Sequence, residues 1–132
     1  MDLSELIKAR RSIRSFDSNK PVTKKFMERI LESAIWAPSG GNVQPWRFFV
    51  VSNGKRKKGL CEAAYGQEYI LEAPYSIVIC IDKPRARAKY DERGLNLYAI
   101  QDTSAAAQNI LLTAPSFGLG PCWIGAFDEN KV

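Results

Sequence analysis

The chain has 132 residues, of which 45% are hydrophobic and 25% are charged, and its formal net charge is +5. These values are typical of one globular domain and exclude a disordered or fibrous chain. The apolar stretches are too short to span a bilayer and the N-terminus lacks the features of a signal peptide, so a cytoplasmic protein is expected.

The first part of the chain predicts two helices, a loop and a strand. Residues 3–10 have the apolar spacing of a short helix, and a second helix begins after the N-cap Thr23 and ends before Pro38. Residues 38–45, rich in glycine and proline, predict a loop, and residues 46–51, rich in aromatic and β-branched side chains, predict a strand. The predicted buried stripe of the second helix is Phe26, Ile30, Leu31, Ala34 and Ile35.

The middle of the chain predicts three more helices and a second strand. Short helices are expected over 55–65 and 67–72, followed by an apolar strand over 75–81 that is buried on both faces. Residues 82–84 predict a turn, and the longest helix runs over 95–114, where Pro115 kinks or ends it. The predicted buried stripe of this helix is Leu97, Ile100, Ala107, Ile110, Leu111 and Ala114.

The end of the sequence predicts a further element that barely begins. Residues 121–125 fit a short strand or an extended loop, and Asp128 is a candidate N-cap for another helix. Since the chain stops at Val132, we expect residues 1–132 to be a single domain that lacks a C-terminal segment.

Two residue types limit the chemistry that side chains can perform. Histidine is absent, which removes the Ser-His-Asp and Cys-His arrangements of nucleophilic catalysis. The three cysteines, Cys61, Cys80 and Cys122, are widely spaced, so neither a disulfide framework nor a transition-metal site is expected. Catalysis would therefore depend mainly on a cofactor.

A basic segment, Arg10-Arg11-Ser12-Ile13-Arg14, is the first candidate binding site. Arginine presents a planar fork of donors that suits phosphate, and Ser12 adds a hydroxyl donor. The alternative interpretation is a solvent-exposed basic turn. Other basic residues cluster at 55–58 and 85–89, but no nucleic-acid-binding signature accompanies them.

A second candidate site is the loop that includes Gly40, Gly41, Asn42 and Gln44. The glycines permit a ligand to approach the backbone, and the two amides offer both donors and acceptors to the edge of a heterocycle. An ordinary loop between a helix and a strand would have the same composition. The loop does not match the common phosphate-binding glycine motifs.

Four segments of the sequence resemble the nitroreductase family of FMN-dependent oxidoreductases. Residues 10–16 resemble the opening motif of the family, and residues 37–46 resemble its second flavin motif. Residues 101–112 are similar to its long central helix, and residues 118–125 to the stretch beside the flavin ring. The segments follow in the family's order and at natural spacing.

The resemblance implies a fold, an assembly and a set of binding residues. The fold is α+β, with a central, mostly antiparallel sheet wrapped by helices, and the assembly is an intertwined homodimer with two FMN sites at the interface. No side chain is assigned a catalytic role and no metal is expected. The implied cofactor-binding residues are Arg10, Arg11, Ser12 and Arg14 from one subunit, Pro38, Ser39, Gly40, Asn42 and Gln44 from the other, and Gln67, Trp123, Ile124 and Gly125.

The implied activity is hydride transfer from NADH or NADPH, through FMN, to a small-molecule acceptor of the nitroaromatic or quinone type. Arg14 is the candidate for stabilising the reduced flavin. An alternative is a flavin-binding protein of the same fold that catalyses dehalogenation, flavin breakdown or ring oxidation, or that has little turnover because of its short C-terminus. Neither nucleic acid nor a membrane is an expected partner.

Overall fold

The computed structural model describes residues 2–132, which form six α-helices and two β-strands. The elements in chain order are α1 (Leu3–Ala9), α2 (Lys24–Ile35), a 3-10 turn (Gly40–Asn42), β1 (Trp46–Val51), α3 (Gly54–Ala63), α4 (Tyr69–Glu72), β2 (Ser76–Ile81), α5 (Lys83–Arg93), a π-helical segment (Gly94–Tyr98) and α6 (Ala99–Ser116). Among these residues, no helix combines the length and the apolar character needed to cross a membrane.

The sheet consists of β1 and β2, which pair antiparallel from Trp46 opposite Ile81 to Val51 opposite Ser76. This confirms the α+β class and the antiparallel pairing. β2 was expected to be buried on both faces, but each of its residues is only partly buried. Within residues 2–132 its second edge has no neighbouring strand, which leaves its side chains less covered.

The main core lies between α2, α6 and the start of β1. Ala34 and Ala106 are fully buried, and Ala37 and Trp46 complete the same cluster. Small side chains at both helices let the backbones approach closely, and Trp46 fills the space beside them.

A second cluster joins Cys61, Ala64 and Ile70 of the α3–α4 region to the C-terminal stretch. The side chains packed against it are Leu60, Tyr69, Ile124 and Phe127.

The predicted start of α2 is confirmed. The Thr23 hydroxyl accepts a hydrogen bond of 3.3 Å from the backbone N–H of Phe26, which satisfies one of the free donors of the first helical turn. At α1, Asp2 and Glu5 form a reciprocal capping box. Such caps each contribute about 1 kcal/mol to helix stability.

Two predicted core positions are wrong. Ile35 at the end of α2 is 47% exposed, and Ile100 in the first turn of α6 is 52% exposed. Met27, which the predicted stripe omitted, is buried instead. Helical periodicity identifies the side chains that share a face, but the position of the neighbouring elements decides how much of that face is covered.

The predicted turn at residues 82–84 is the start of a helix. Asp82 is the N-cap of α5, where its carboxylate accepts a hydrogen bond of 3.1 Å from Arg85 N, and Pro84 lies in the first turn. Proline is tolerated there because the first N–H groups of a helix have no intrahelical partner. The predicted long helix over 95–114 is π-helical up to Tyr98 and α-helical from Ala99 to Ser116, and Pro115 lies inside its last turn.

The C-terminal stretch has less regular structure than the sequence predicts. Residues 121–125 are extended and pair with no strand among the described residues, in agreement with the loop alternative. The Asp128 carboxylate accepts a hydrogen bond of 2.9 Å from Asn130 N. This contact closes a turn, and the predicted helix does not form within residues 127–132.

Candidate functional site

The arginine segment lies against the C-terminal stretch. The backbone N–H of Ile13 donates a hydrogen bond of 3.0 Å to the carbonyl of Pro121. A Cβ at Gly120 would lie 2.8 Å from Cγ1 of Ile13, so the close approach requires a glycine. Further along, Phe16 N donates to the Glu72 carboxylate over 2.8 Å. The fold therefore brings two of the predicted segments, residues 10–14 and residues 121–125, side by side.

The arginines of this segment carry uncompensated charge. None of the ion pairs found within residues 2–132 involves Arg10, Arg11 or Arg14. The guanidinium of Arg11 turns back to the backbone, where its Nη1 donates to the carbonyls of Lys8 and Arg10 over 2.7 and 2.8 Å. Arg14 and Ser12 are exposed and Arg10 is half-buried. Exposed guanidiniums without acidic partners fit a phosphorylated ligand.

Tyr69 interacts with Arg14 and with Cys122, which belong to two other parts of the chain. Burial raises the pKa of the Tyr69 hydroxyl, the neighbouring Cys122 thiol raises it further, and hydrogen bonding and attraction to Arg14 oppose the rise. These three side chains therefore meet where α4, the arginine segment and the C-terminal stretch come together. The cluster was not predicted, because its members are far apart in the sequence.

The amide of Gln67 connects α4 to the C-terminal stretch. Its Nε2 donates to the carbonyls of Ala64 and Ala126 over 2.9 and 3.0 Å, and its Oε1 accepts from the Tyr69 hydroxyl over 2.5 Å. Both N–H donors of the amide are thus engaged by protein carbonyls. The role of Gln67 as a cofactor ligand stays a prediction, and its remaining capacity is as an acceptor.

Trp123, Ile124 and Gly125 face different surroundings. Trp123 is 50% exposed, whereas Ile124 packs against the cluster of Cys61, Ala64 and Ile70. Nothing lies within 4 Å of the position that a Cβ would take at Gly125. The stretch therefore has one side fixed to the protein and an accessible backbone and aromatic ring on the other, which suits contact with a flat heterocycle.

The predicted loop at residues 38–45 folds through several left-handed residues. Gly41, Asn42 and Gln44 have φ values of 59°, 56° and 54°, a region that is costly for side chains other than glycine and only moderately accessible to asparagine. The Ser39 hydroxyl accepts a hydrogen bond of 3.0 Å from Gln44 N. Pro38 and Asn42 are exposed, while Ser39, Gly40 and Gln44 are half-buried.

The loop is supported by residues that the sequence analysis did not select. Asp102 of α6 is 7% exposed, and its Oδ1 accepts a hydrogen bond of 3.1 Å from Gly40 N. Burial raises the pKa of the Asp102 carboxyl, and the bond from Gly40 opposes the rise. The sequence did contain a signal for Asp102. It lies four residues before Ala106, which places its carboxylate on the buried face of the helix.

Basic side chains of α5 bind the loop from the outside. Arg85 Nε donates to the Val43 carbonyl over 2.9 Å, and Lys89 Nζ donates to the Gly41 carbonyl over 3.3 Å. The basic cluster at 85–89 is thus partly used to hold the loop backbone.

The predicted binding residues fall into two groups within one protomer. The first joins the arginine segment, Gln67 and residues 121–126, and the second is the loop with α5 and Asp102. No hydrogen bond between described side chains or backbone groups connects the loop with the first group. Each group has its own supporting elements.

Comparison with known proteins gives a consistent result. The sequence model described as the nitroreductase family matches residues 7–68 and 60–132. The NADH dehydrogenase of Thermus thermophilus is 41% identical, and the alignment covers 93% of this chain and 73% of the relative. The NADPH-flavin oxidoreductase of Vibrio harveyi is 33% identical, with 97% of this chain and 55% of that protein covered.

A solved structure extends the similarity to the fold. The crystal structure of a Desulfovibrio desulfuricans protein in complex with FMN has a TM-score of 0.84 and 32% identity, and the match covers 96% of this chain and 69% of that one. The chain spans about two thirds of the length of the archaeal relatives that it also matches.

Proposed function

Because the chain belongs to the nitroreductase family, we propose that it is an FMN-dependent oxidoreductase that transfers hydride from NAD(P)H through the flavin to nitroaromatic or quinone acceptors. The relatives named as a flavin oxidoreductase and as an NADH dehydrogenase support the choice of cofactor and donor. A structural neighbour in complex with FMN supports the same cofactor.

The observation that carries the proposal is the contact between the arginine segment and the C-terminal stretch. The hydrogen bond of 3.0 Å from Ile13 N to Pro121 O holds the arginine segment, in which Arg10 and Arg14 form no ion pair within residues 2–132, against the stretch that contains the exposed Trp123. A ligand that has a phosphate at one end and a flat ring at the other could use both features at once. FMN has this form.

We propose that the protein forms a homodimer, because no hydrogen bond among the described residues connects the two groups of predicted residues within one protomer. Pro38, Ser39, Gly40, Asn42 and Gln44 would reach the flavin that is held by the arginine segment of the partner subunit. Exposed apolar side chains, among them Trp36 at 78% and Ile35 at 47% exposure, lie just before this loop. Their burial between subunits would supply part of the association free energy.

The residues of the chain would bind and orient the cofactor. Arg10, Ser12 and Arg14 would hold the phosphate, the ribityl chain and the ring edge, and the backbone of residues 123–125 would lie along the ring. Bound FMN would supply the redox chemistry, as an acceptor of hydride and a donor to the second substrate. The positive charge of Arg14 would favour the more negative, reduced form of the cofactor. No side chain is required as a general acid or base.

The remaining parts of the proposal concern the setting of the enzyme. Residues 1–132 would act as one domain, in the cytoplasm, where NADH and NADPH are both present. Neither nucleic acid nor a membrane would be a partner. The small-molecule acceptor would occupy the space that the nicotinamide leaves, which makes the two half-reactions successive.

The absorbance spectrum of the purified protein tests the proposal. We expect flavin bands in the blue region that bleach when NADH or NADPH is added and return when a nitroaromatic or quinone is supplied. Flavin bands that do not bleach would favour the alternative of a flavin-binding protein with another reaction or little turnover. Protein that is colourless after incubation with FMN and gel filtration would contradict the proposal.

A further inference from the structure

We propose that Asp102 is a positioning residue for cofactor binding, which holds the loop at residues 39–44 in the conformation that meets the flavin. This inference rests on the proposed function. It assigns to a buried carboxylate of α6 the task of fixing a binding segment that lies 62 residues away in the chain.

The contact between Asp102 and the loop is specific. Oδ1 of Asp102 accepts a hydrogen bond of 3.1 Å from the backbone N–H of Gly40. A Cβ at Gly40 would lie 3.1 Å from Cγ of Tyr98, so the loop backbone is pressed against the helical segment that precedes α6. The carboxylate therefore acts on the first residue of the 3-10 turn, where the direction of the loop is set.

The loop needs such support because its backbone is unfavourable by itself. Gly41, Asn42 and Gln44 all have φ between 54° and 59°, and residues with side chains persist in this region only when the surrounding structure imposes it. The Ser39 hydroxyl and the Gln44 N–H form a contact of 3.0 Å inside the loop. That contact fixes the loop's shape, whereas Asp102 fixes its place relative to α6.

Burial distinguishes Asp102 from the other supports. Arg85 and Lys89 are exposed side chains of α5, and water can replace the bonds that they donate to the loop carbonyls. Asp102 is 7% exposed, and it lines a small cavity together with Pro45, Ala86 and Tyr98. A buried acceptor that is lost leaves the Gly40 N–H without a partner, which is more costly than the loss of a surface bond.

Two substitutions separate the role of the acceptor from the role of shape. Asp102→Asn keeps an oxygen that can accept from Gly40 N, and Asp102→Leu keeps the approximate volume without an acceptor. We expect the asparagine variant to bind FMN as the wild type does. The leucine variant should show a dissociation constant about tenfold higher, as expected for the loss of one buried hydrogen bond.

Asn109→Leu is the matched control on the same helix. Nδ2 of Asn109 donates a hydrogen bond of 2.9 Å to Ser33 O in α2, so this variant also loses one bond between a side chain of α6 and a distant backbone group. We expect it to lower the melting temperature and to leave the FMN dissociation constant of the folded protein unchanged. A general loss of stability would instead raise the constant in both leucine variants.

Amide hydrogen exchange of the wild-type apoprotein tests the contact without FMN. The Gly40 N–H should exchange much more slowly than the N–H of the exposed Gly41, and the difference should shrink in Asp102→Leu. Equal exchange at Gly40 and Gly41 in the wild type would overturn the inference, even if the leucine variant failed to fold. An unchanged FMN dissociation constant in folded Asp102→Leu would overturn it as well. If the wild type shows the protected Gly40 but binds no FMN, the proposed function fails while the structural contact stands.

Discussion

The hydroxyl of Tyr69 donates a hydrogen bond of 2.5 Å to Oε1 of Gln67. The amide of Gln67 in turn donates to the Ala126 carbonyl over 3.0 Å, so the pair connects α4 to the C-terminal stretch. Tyr69 also lies close enough to Arg14 for the guanidinium to affect its pKa. One pair of side chains therefore joins three segments that the sequence separates widely.

Gln67→Leu should lower the free energy of unfolding by about 2 kcal/mol, because it removes three hydrogen bonds, two of them partly buried. Tyr69→Phe removes the hydroxyl, with its bond to Gln67 and its interactions with Arg14 and Cys122, and should cost about 1 kcal/mol. Urea unfolding followed by tryptophan fluorescence measures both. Equal values for the two variants would contradict the expectation that the bonds from Gln67 to the Ala64 and Ala126 carbonyls make its loss the more costly one.

Arg14→Ala should weaken FMN binding by about tenfold or more, because a charge-assisted hydrogen bond between the guanidinium and the ligand is lost. It should also lower the flavin reduction potential, since a positive charge near the ring favours the reduced form. Fluorescence titration and a redox titration with reference dyes measure the two effects.

Arg56→Ala is the control for Arg14. Arg56 is an exposed arginine of α3, so its removal changes the net charge equally and away from the candidate site. We expect both FMN affinity and reduction potential to be unchanged. A similar loss in both variants would indicate a general electrostatic effect rather than a contact of Arg14.

The stability of the wild type should rise, relative to Asp102→Asn, as the pH is lowered from 7 towards 4. Burial raises the pKa of Asp102 in the folded protein above its ordinary value of 3.8, so the folded state binds this proton more tightly than the unfolded state. The contribution of the protonated carboxyl is fully present below the unfolded pKa and is lost as the pH rises through the folded pKa.

Urea unfolding at several pH values checks this difference. Asparagine retains an acceptor for the Gly40 N–H but does not titrate, so the subtraction of the two curves isolates Asp102 from the other carboxylates. A difference that stays constant between pH 4 and 7, or that changes in the opposite direction, would contradict the prediction.

Gly94→Ala should destabilise the protein by about 3 kcal/mol, because overpacking against rigid backbone cannot relax easily. A Cβ at this position would collide with the carbonyl oxygen of Ala86. Gly59→Ala is the matched substitution in α3, where nothing lies within 4 Å of the added methyl group. It should stabilise the protein by about 0.5–1 kcal/mol through helix propensity. Thermal unfolding of both variants measures the contrast.

Local signals predicted much of the fold. The strand over 46–51 and the start of α2 after Thr23 agree with the structure, because β-branched content and an N-cap act within a few residues. At Asp82 and Pro84 the prediction of a turn was wrong, because α5 begins there. The same two residue types begin turns and begin helices, and only the continuation through α5 distinguishes them.

The site was less predictable, because its contacts are distant in the sequence. Asp102 and Gly40 are 62 residues apart, and Gln67 and Ala126 are 59 residues apart. No period or motif within a short window encodes such pairs. The arginine segment and the loop were identifiable through resemblance to a family, which supplies residue roles that composition and spacing do not contain.

The independent support of the two groups of binding residues has a consequence for handling the protein. If each flavin needs the arginine segment of one subunit and the loop of another, retention of the cofactor is linked to the monomer–dimer equilibrium. Dilution at a constant ratio of FMN to protein would then release the coenzyme with a sharper concentration dependence than a simple one-to-one complex. Dilution alone would then be enough to remove the yellow colour from a preparation.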